Sequence, residues 1–405
     1  MGGDRGGSGV KRVSVGHDLT GLIRAMNHAD PADLSDMLVS AAAELRGVDV
    51  VVYLVDFEQQ ILEPLPDQGN HEEIPHSEDV GATIAGRAFL QRKVTTAERP
   101  DGTRVWVPII EGADTTGVLA LTVPEPDDAT IATCEDLGVL AGYLIAAQAR
   151  TTDVYNLRRR RKPMTLAASM QWDLLPPLNL TSRRVMVAGM LEPAYEIGGD
   201  CFDYALNGSN LEVALMDSMG HGLRSAVVAG LATGCYRHLR REGRILEHIH
   251  HELDDVIAGE CGGDAFVTGQ IGRLDLTTGS FMWINAGHPL PMLVRHGQVV
   301  GSLEARPGLP WGLGPSEVEV STATLEPGDS VLFYTDGVVE ARGSGHEAFG
   351  EPRLVDLVGQ HASDQLPIAL IVRLVVRAVL EHHGGQLSDD ATLLMIHWPG
   401  PLNQP

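Results

Sequence analysis

The apolar positions change period several times along the first 130 residues. Residues 18–47 carry helical spacing interrupted at Pro31; in the second stretch Leu34, Met37, Leu38, Ala41 and Leu45 share one face, which Gly47 ends. Val50 to Phe57 is rich in β-branched residues and predicts a strand, with Ile61 to Leu65 as its hairpin partner. Pro66 to Asp79 is polar and acidic and predicts a loop. Ile84 to Leu90 predicts a helix, and Val94 to Ala97, Val105 to Ile110 and Gly117 to Val123 predict three strands. This order describes a single antiparallel sheet with helices packed against it.

A long helical pattern then runs from about Thr130 to Arg161, with Leu137, Leu140, Leu144, Val154 and Leu157 in an imperfect heptad series. It ends in Arg158, Arg159, Arg160, Arg161 and Lys162, and Pro163 breaks it. The basic run reads as a solvated helix end whose cations suit the C-terminal dipole. A second helix, Met164 to Leu175, stops at Pro176 and Pro177. Further on, strands are predicted at Arg184 to Met190, Leu211 to Met216, Phe266 to Leu274, Ser280 to Asn285, Met292 to Arg295, Ser330 to Thr335 and Thr392 to Ile396. Helices are predicted at Gly222 to Arg240, Arg244 to Ile257 and Leu366 to His382. The expected organisation is an α+β chain: a tail over 1–17, a first domain over 18–130, a helical linker over 131–177 through which a homodimer could form, and a second domain over 178–400.

Composition narrows the function. The 405 residues hold 30 Lys and Arg against 54 Asp and Glu, a formal net charge of -24, and 43% are hydrophobic. That is a globular composition with real cores. The charge has the wrong sign for a chain that binds nucleic acid throughout, whereas spare carboxylates suit hard cations. No run reaches the ~20 apolar residues of a membrane span, and the Gly-rich start lacks the apolar core of a signal peptide. Cys134, Cys201, Cys235 and Cys261 lie far apart, which excludes a disulfide framework and fits a reducing, cytoplasmic setting.

Four acidic sites share one grammar. Asp200 follows Gly198 and Gly199; Asp217 ends LEVALM; Asp336 ends SVLFYT and precedes Gly337; Asp389 and Asp390 precede the strand TLLMI. Taken singly, an aspartate after a strand is a turn or cap residue. Together they crowd carboxylates at buried strand ends, where repulsion and desolvation call for divalent cations. Oxygen-only ligands select Mg²⁺ or Mn²⁺ over zinc. Cys201 reads as a packed strand thiol.

These segments resemble the SpoIIE-type branch of the metal-dependent (PPM, type 2C) serine/threonine phosphatases. The matching stretches are PAYEIGGDCFDY, ALMDSMGHG, WINAGHPLP, GLPWGL, GDSVLFYTDGVVEAR and LSDDATLLMI, with SMQWDLLPP resembling the family's leading helix. The resemblance implies a sandwich of two antiparallel sheets with helices outside and a two-ion Mn²⁺ or Mg²⁺ mechanism without a protein nucleophile. It assigns Asp217 as the bridging ligand, Asp336 and Asp389 to one metal, and Asp200 with the Ser218 carbonyl to the other. Asp203, Asn285, His288 and Asp390 stand as outer residues around the ligands. His288 reads either as a general acid or as a turn-shaping residue, and His221 either as a substrate contact or as a turn residue.

The stretches DVVVYLVDF, IAGRAFLQRKVTTAE and VWVPIIEGADTTGVLALTVPE resemble a GAF domain, which implies a dimerising or small-molecule-sensing role. The implied whole is a regulated phosphoprotein phosphatase. Its substrate would be a phosphoserine or phosphothreonine on an anti-sigma-factor antagonist in a partner-switching pathway. The rival class is a catalytically silent pseudophosphatase that binds a partner, and retention of all five acids argues against it. A two-metal nuclease lacks the basic face it would need.

Overall fold

The computed structural model describes residues 33–66, 75–112, 114–196, 198–314, 317–343, 347–384, 387 and 389–402. The expected tail and the helical stretch up to Pro31 lie outside them. The described residues divide into two compact units: those up to 55, within 62–111 and within 116–159 form one, and those within 56–61, 112–115 and from 160 onward form the other.

In the first unit, in chain order, come α1 (Leu34–Ala43), β1 (Val48–Val55), β2 (Ile61–Pro64), β3 (Glu78–Asp79), α2 (Ile84–Gln91), β4 (Thr95–Arg99), β5 (Gly102–Glu111), β6 (Asp114–Val123), α3 (Asp128–Gln148) and α4 (Val154–Arg159). The strands form one sheet in the order β3-β2-β1-β6-β5-β4. Side chains alternate across it. Val50, Val52 and Leu54 pack with α1 and α3, while Val51, Tyr53 and Val55 pack with α2 on the opposite face.

Helix α3 belongs to this unit, so the expected linker over 131–177 is not one piece. Cys134, Leu137, Ala141 and Ile145 of α3 join the core of the first unit. Gly138 and Gly142 let it approach β5: a Cβ at Gly142 would lie 2.2 Å from the Ile110 carbonyl oxygen. Among the described residues, α3 alone is long and apolar enough to cross a membrane by length and composition; its packing on β5 makes it a core helix instead. The expected continuous helix to Arg161 also breaks. Thr151 Oγ1 donates to the Gln148 carbonyl and Thr152 Oγ1 accepts from Val154 N–H, local bonds that compete with helical ones. The basic run is solvent-exposed at Arg161 and Lys162, as expected, but side chains along it also have partners. Arg159 Nε donates to the Val55 carbonyl at 2.8 Å, and Lys162 pairs with Glu58 at 2.6 Å.

The second unit opens with α5 (Leu166–Leu174), β7 (Asn179–Thr181), β8 (Met186–Glu192), β9 (Asp200–Asn207) and β10 (Asn210–Ser218). Then follow α6 (Leu223–Arg241), α7 (Leu246–Cys261), β11 (Val267–Asp275), β12 (Ser280–Ala286), β13 (Met292–Arg295), β14 (Gln298–Ser302), β15 (Ser321–Thr324) and β16 (Ser330–Tyr334). The unit closes with α8 (Asp336–Glu340), α9 (Glu351–Ser363), α10 (Ile368–His383) and β17 (Ala391–His397).

Two sheets result, β15-β12-β11-β10-β9 and β14-β13-β16-β17-β8-β7. Their inner faces share one core: Phe202, Val213, Leu215, Phe281 and Trp283 from the first meet Val187, Val331, Phe333, Leu394 and Ile396 from the second. Each such large side chain stabilises by about 1.5–3 kcal/mol on burial. Helices α6 and α7 cover the outer face of the five-stranded sheet, and α9 and α10 cover that of the six-stranded sheet. This is the α+β sandwich of two antiparallel sheets that the family resemblance implies.

Candidate metal centre

Asp200, Asp217, Asp336, Asp389 and Asp390 lie at one end of this sandwich. Asp200 opens β9 and pairs directly with Asp217 near the end of β10. Across the sandwich, Asp336 follows the end of β16, and Asp389 and Asp390 precede β17. The chain delivers them this way because each apolar strand runs out of core where its aspartate begins. Gly337 is required beside Asp336: a Cβ there would lie 1.9 Å from the Asp390 carbonyl oxygen.

The carboxylates strain against one another. Burial, then Asp217 and Asp390, hold Asp200 well above the usual carboxylate range. Burial, then Asp336, Asp389 and Asp390, push Asp217 up to about 7. Burial chiefly pushes Asp390 up to about 6. Asp336 is raised by burial, then by Glu340 and Asp389. The charges bearing most on these four groups are other carboxylates, and no cation stands among those leading influences. Among the described residues, no three His, Cys, Asp or Glu side chains stand close enough to form a ready coordination shell. The chemistry of the set nevertheless fits hard divalent cations: it is all oxygen, anionic and partly desolvated, and Asp390 Oδ1 is buried without a hydrogen-bond partner.

Neutral groups hold the acids in place. Thr335 Oγ1 donates to Asp200 Oδ2 at 2.8 Å and accepts from Thr392 N–H at 2.9 Å. Asp390 Oδ2 accepts from Asp200 N–H at 3.0 Å and from Gln171 Nε2 at 3.3 Å. Gln171, buried on α5, also donates to the Asp200 carbonyl. Asp390 is thus turned toward backbone, while Asp389 is felt by both Asp217 and Asp336.

Residues 207–399 match the family model described as Stage II sporulation protein E (SpoIIE). The second unit carries a SpoIIE domain. Asp217, Asp336, Asp389 and Asp390 lie inside the matched stretch and Asp200 lies just before it. Protein IcfG of Synechocystis sp. is 24% identical over 258 residues, covering 56% of this chain and 40% of its own length. Phosphoserine phosphatase RsbU of Bacillus subtilis is 22% identical over 260 residues, 64% of this chain and 76% of its own. A solved structure of the RsbU and RsbW domains of Rv1364c from Mycobacterium tuberculosis is 28% identical and covers 54% of this chain and 61% of its own, with a TM-score of 0.47. The chain therefore spans well under two thirds of the first of these relatives.

The other expected residues of the SpoIIE domain divide. Ser218 is buried beside Asp217; its hydroxyl lies 2.6 Å from that of Ser225, which also donates to the Ser218 carbonyl at 3.2 Å. Asn285 and His288 are buried close by. Asp203 is not part of the site. It lies three residues along β9 from Asp200, so the two face opposite sides of the sheet, and Arg237 and Arg240 pair with it at 2.9 and 2.6 Å. Cys201 faces the same helix layer, 3.0 Å from Thr233 Oγ1, and burial pushes its thiol up to about 12. It is no nucleophile. His221 is exposed in the turn before α6.

Sequence reasoning missed Gln171 and Thr335 as supports. One signal for Gln171 was present: a polar residue on the face of α5 that otherwise buries Ala167 and Ala168.

Proposed function

We propose that the chain is a metal-dependent protein-serine/threonine phosphatase. The observation that carries this reading is the gathering of Asp200, Asp217, Asp336, Asp389 and Asp390 at one sandwich end inside a SpoIIE domain. Asp217 would bridge two Mn²⁺ or Mg²⁺ ions, with Asp336 and Asp389 on one, and Asp200 and the Ser218 carbonyl on the other. When bound, the ions supply Lewis acidity, bringing the pKa of a coordinated water near neutrality and offsetting charge on phosphate oxygens. Thr335 and Gln171 keep Asp200 and Asp390 oriented.

The same proposal covers the substrate, a phosphoserine or phosphothreonine of an anti-sigma-factor antagonist. The support is that RsbU of Bacillus subtilis bears the name phosphoserine phosphatase. It also includes control by a GAF-like first unit, with a small-molecule ligand and a homodimer, and a cytoplasmic location. Sedimentation with and without candidate ligands tests the dimer and the ligand.

The test of activity is hydrolysis of a generic phosphate ester with Mn²⁺, with Mg²⁺ and with chelator. Metal-dependent turnover in the wild type that falls at least about 100-fold in Asp217→Asn is the expected result. Absence of turnover with either metal, together with capture of a phosphoprotein, would instead favour the binding-module reading.

A further inference from the structure

His288 occupies a place that neither a proton donor nor a simple turn residue needs. Its backbone is gripped from both sides by Asn285, whose Oδ1 accepts from His288 N–H at 2.7 Å and whose Nδ2 donates to the His288 carbonyl at 2.8 Å. Gln270, opposite Asn285 in the ladder, donates to the carbonyl of Pro289. The turn is therefore fixed, and the ring is aimed. Nε2 lies 3.1 Å from the Tyr334 carbonyl oxygen and Nδ1 lies 2.9 Å from Thr268 Oγ1.

These two contacts determine the proton positions. A carbonyl oxygen only accepts, so Nε2 carries the hydrogen. Nδ1 then holds a lone pair and the Thr268 hydroxyl donates to it. Burial also opposes protonation, holding the ring down to about 4. The single N–H is spent on backbone and faces no solvent.

The two partners are telling. Thr268 on β11 stands directly opposite Asp217 in the five-stranded sheet. Tyr334 ends β16 in the six-stranded sheet, two residues before Asp336. Asp217 lies in the five-stranded sheet and Asp336 opens α8 just beyond β16 of the six-stranded sheet, so their separation depends on how the sheets are spaced at this end.

Resting on the phosphatase reading above, we propose that His288 is a positioning residue: a neutral strut between the sheets that sets the separation of Asp217 and Asp336, and hence the affinity for the divalent cation. It does not deliver a proton to the leaving group.

The test measures Mn²⁺ binding to the full chain by the electron paramagnetic resonance of free Mn²⁺, beside turnover of a generic phosphate ester as a function of Mn²⁺. Outer residues that orient metal ligands are worth about 10–100-fold in metal affinity. His288→Ala is expected to weaken Mn²⁺ binding at least about ten-fold, with most turnover recovered at saturating Mn²⁺. His288→Gln, which can donate to Tyr334 and accept from Thr268, is expected to recover much of the affinity. If His288→Ala does not fold, Thr268→Val carries the test: it removes the hydroxyl alone and is expected to weaken binding in the same direction. Wild-type affinity in the variants, or turnover lost at every Mn²⁺ concentration with affinity intact, would overturn the strut. A wild-type chain that binds no Mn²⁺ would overturn the phosphatase reading itself, and the two failures are distinct.

Discussion

Asp200 is held by a hydroxyl, not by a charge. Thr335 Oγ1 donates to it and is itself fixed by Thr392 N–H. Thr335→Val keeps the shape and removes the donor, leaving a buried carboxylate oxygen short of a bond. We expect a stability loss of about 1–3 kcal/mol in metal-free protein and about ten-fold weaker Mn²⁺ binding, read by thermal unfolding and metal titration. The acids also fix a pH response. Asp217 and Asp390 ionise near 3.8 when unfolded but near 7 and 6 in the fold. Between those limits the folded chain holds more protons than the unfolded one, so metal-free stability falls as pH rises from about 4 to about 7. On the proposed reading Mn²⁺ would bind the deprotonated acids, and its stabilisation is expected to grow over the same range. Melting temperatures across pH 5 to 8, with chelator and with Mn²⁺, check this; a metal effect independent of pH would contradict it. Little of this residue layer was legible beforehand. The five acids announced themselves through repeated placement at strand ends. Thr335 and Gln171 did not, because one polar side chain beside an apolar run looks the same whether it caps a turn or grips a carboxylate.

At the scale of elements, the junction between α8 and β17 is the tightest part of the site. Gly337 has no room for a Cβ against the Asp390 carbonyl, and that carbonyl belongs to backbone that cannot rotate away. Gly337→Ala is expected to separate Asp336 from Asp390 and to cost about 1–3 kcal/mol in overpacking. Mn²⁺ binding should be lost before folding is, which metal titration beside circular dichroism would show. Elements with strong patterns were readable from the chain: Met292–Arg295 is the predicted strand to the residue, and α6 and α10 fall within two residues of expectation at each end. Strands β14 and β15 escaped because QVVGS and STAT are short and mostly polar. The apolar series of α3 has heptad-like spacing, which by itself points to a linker helix. The same spacing serves a helix lying on a sheet, and the packing of Leu137, Ala141 and Ile145 in the first unit's core, with Gly138 and Gly142 close to β5, distinguishes the two.

On the whole molecule, the net charge of -24 sets a condition on any phosphorylated partner. A phosphate monoester is anionic, and a phosphoprotein adds its own field. Long-range repulsion slows the encounter, and salt screens it: the Debye length falls from about 30 Å at 0.01 M to about 8 Å at 0.15 M. Divalent cations held at the acids, as proposed, and the short-range contacts there would be screened far less, because they act within a few ångströms and partly out of water. Salt therefore should help an acidic substrate to arrive without weakening its chemistry. The expected outcome is a kcat/KM for an acidic phosphoprotein that rises several-fold between about 0.01 and 0.15 M NaCl at saturating Mn²⁺, with kcat nearly constant. A small phosphate ester, carrying less charge, should respond less. A kcat/KM that instead falls with salt would mean that the mouth of the site presents a local positive field strong enough to outweigh the charge of the chain.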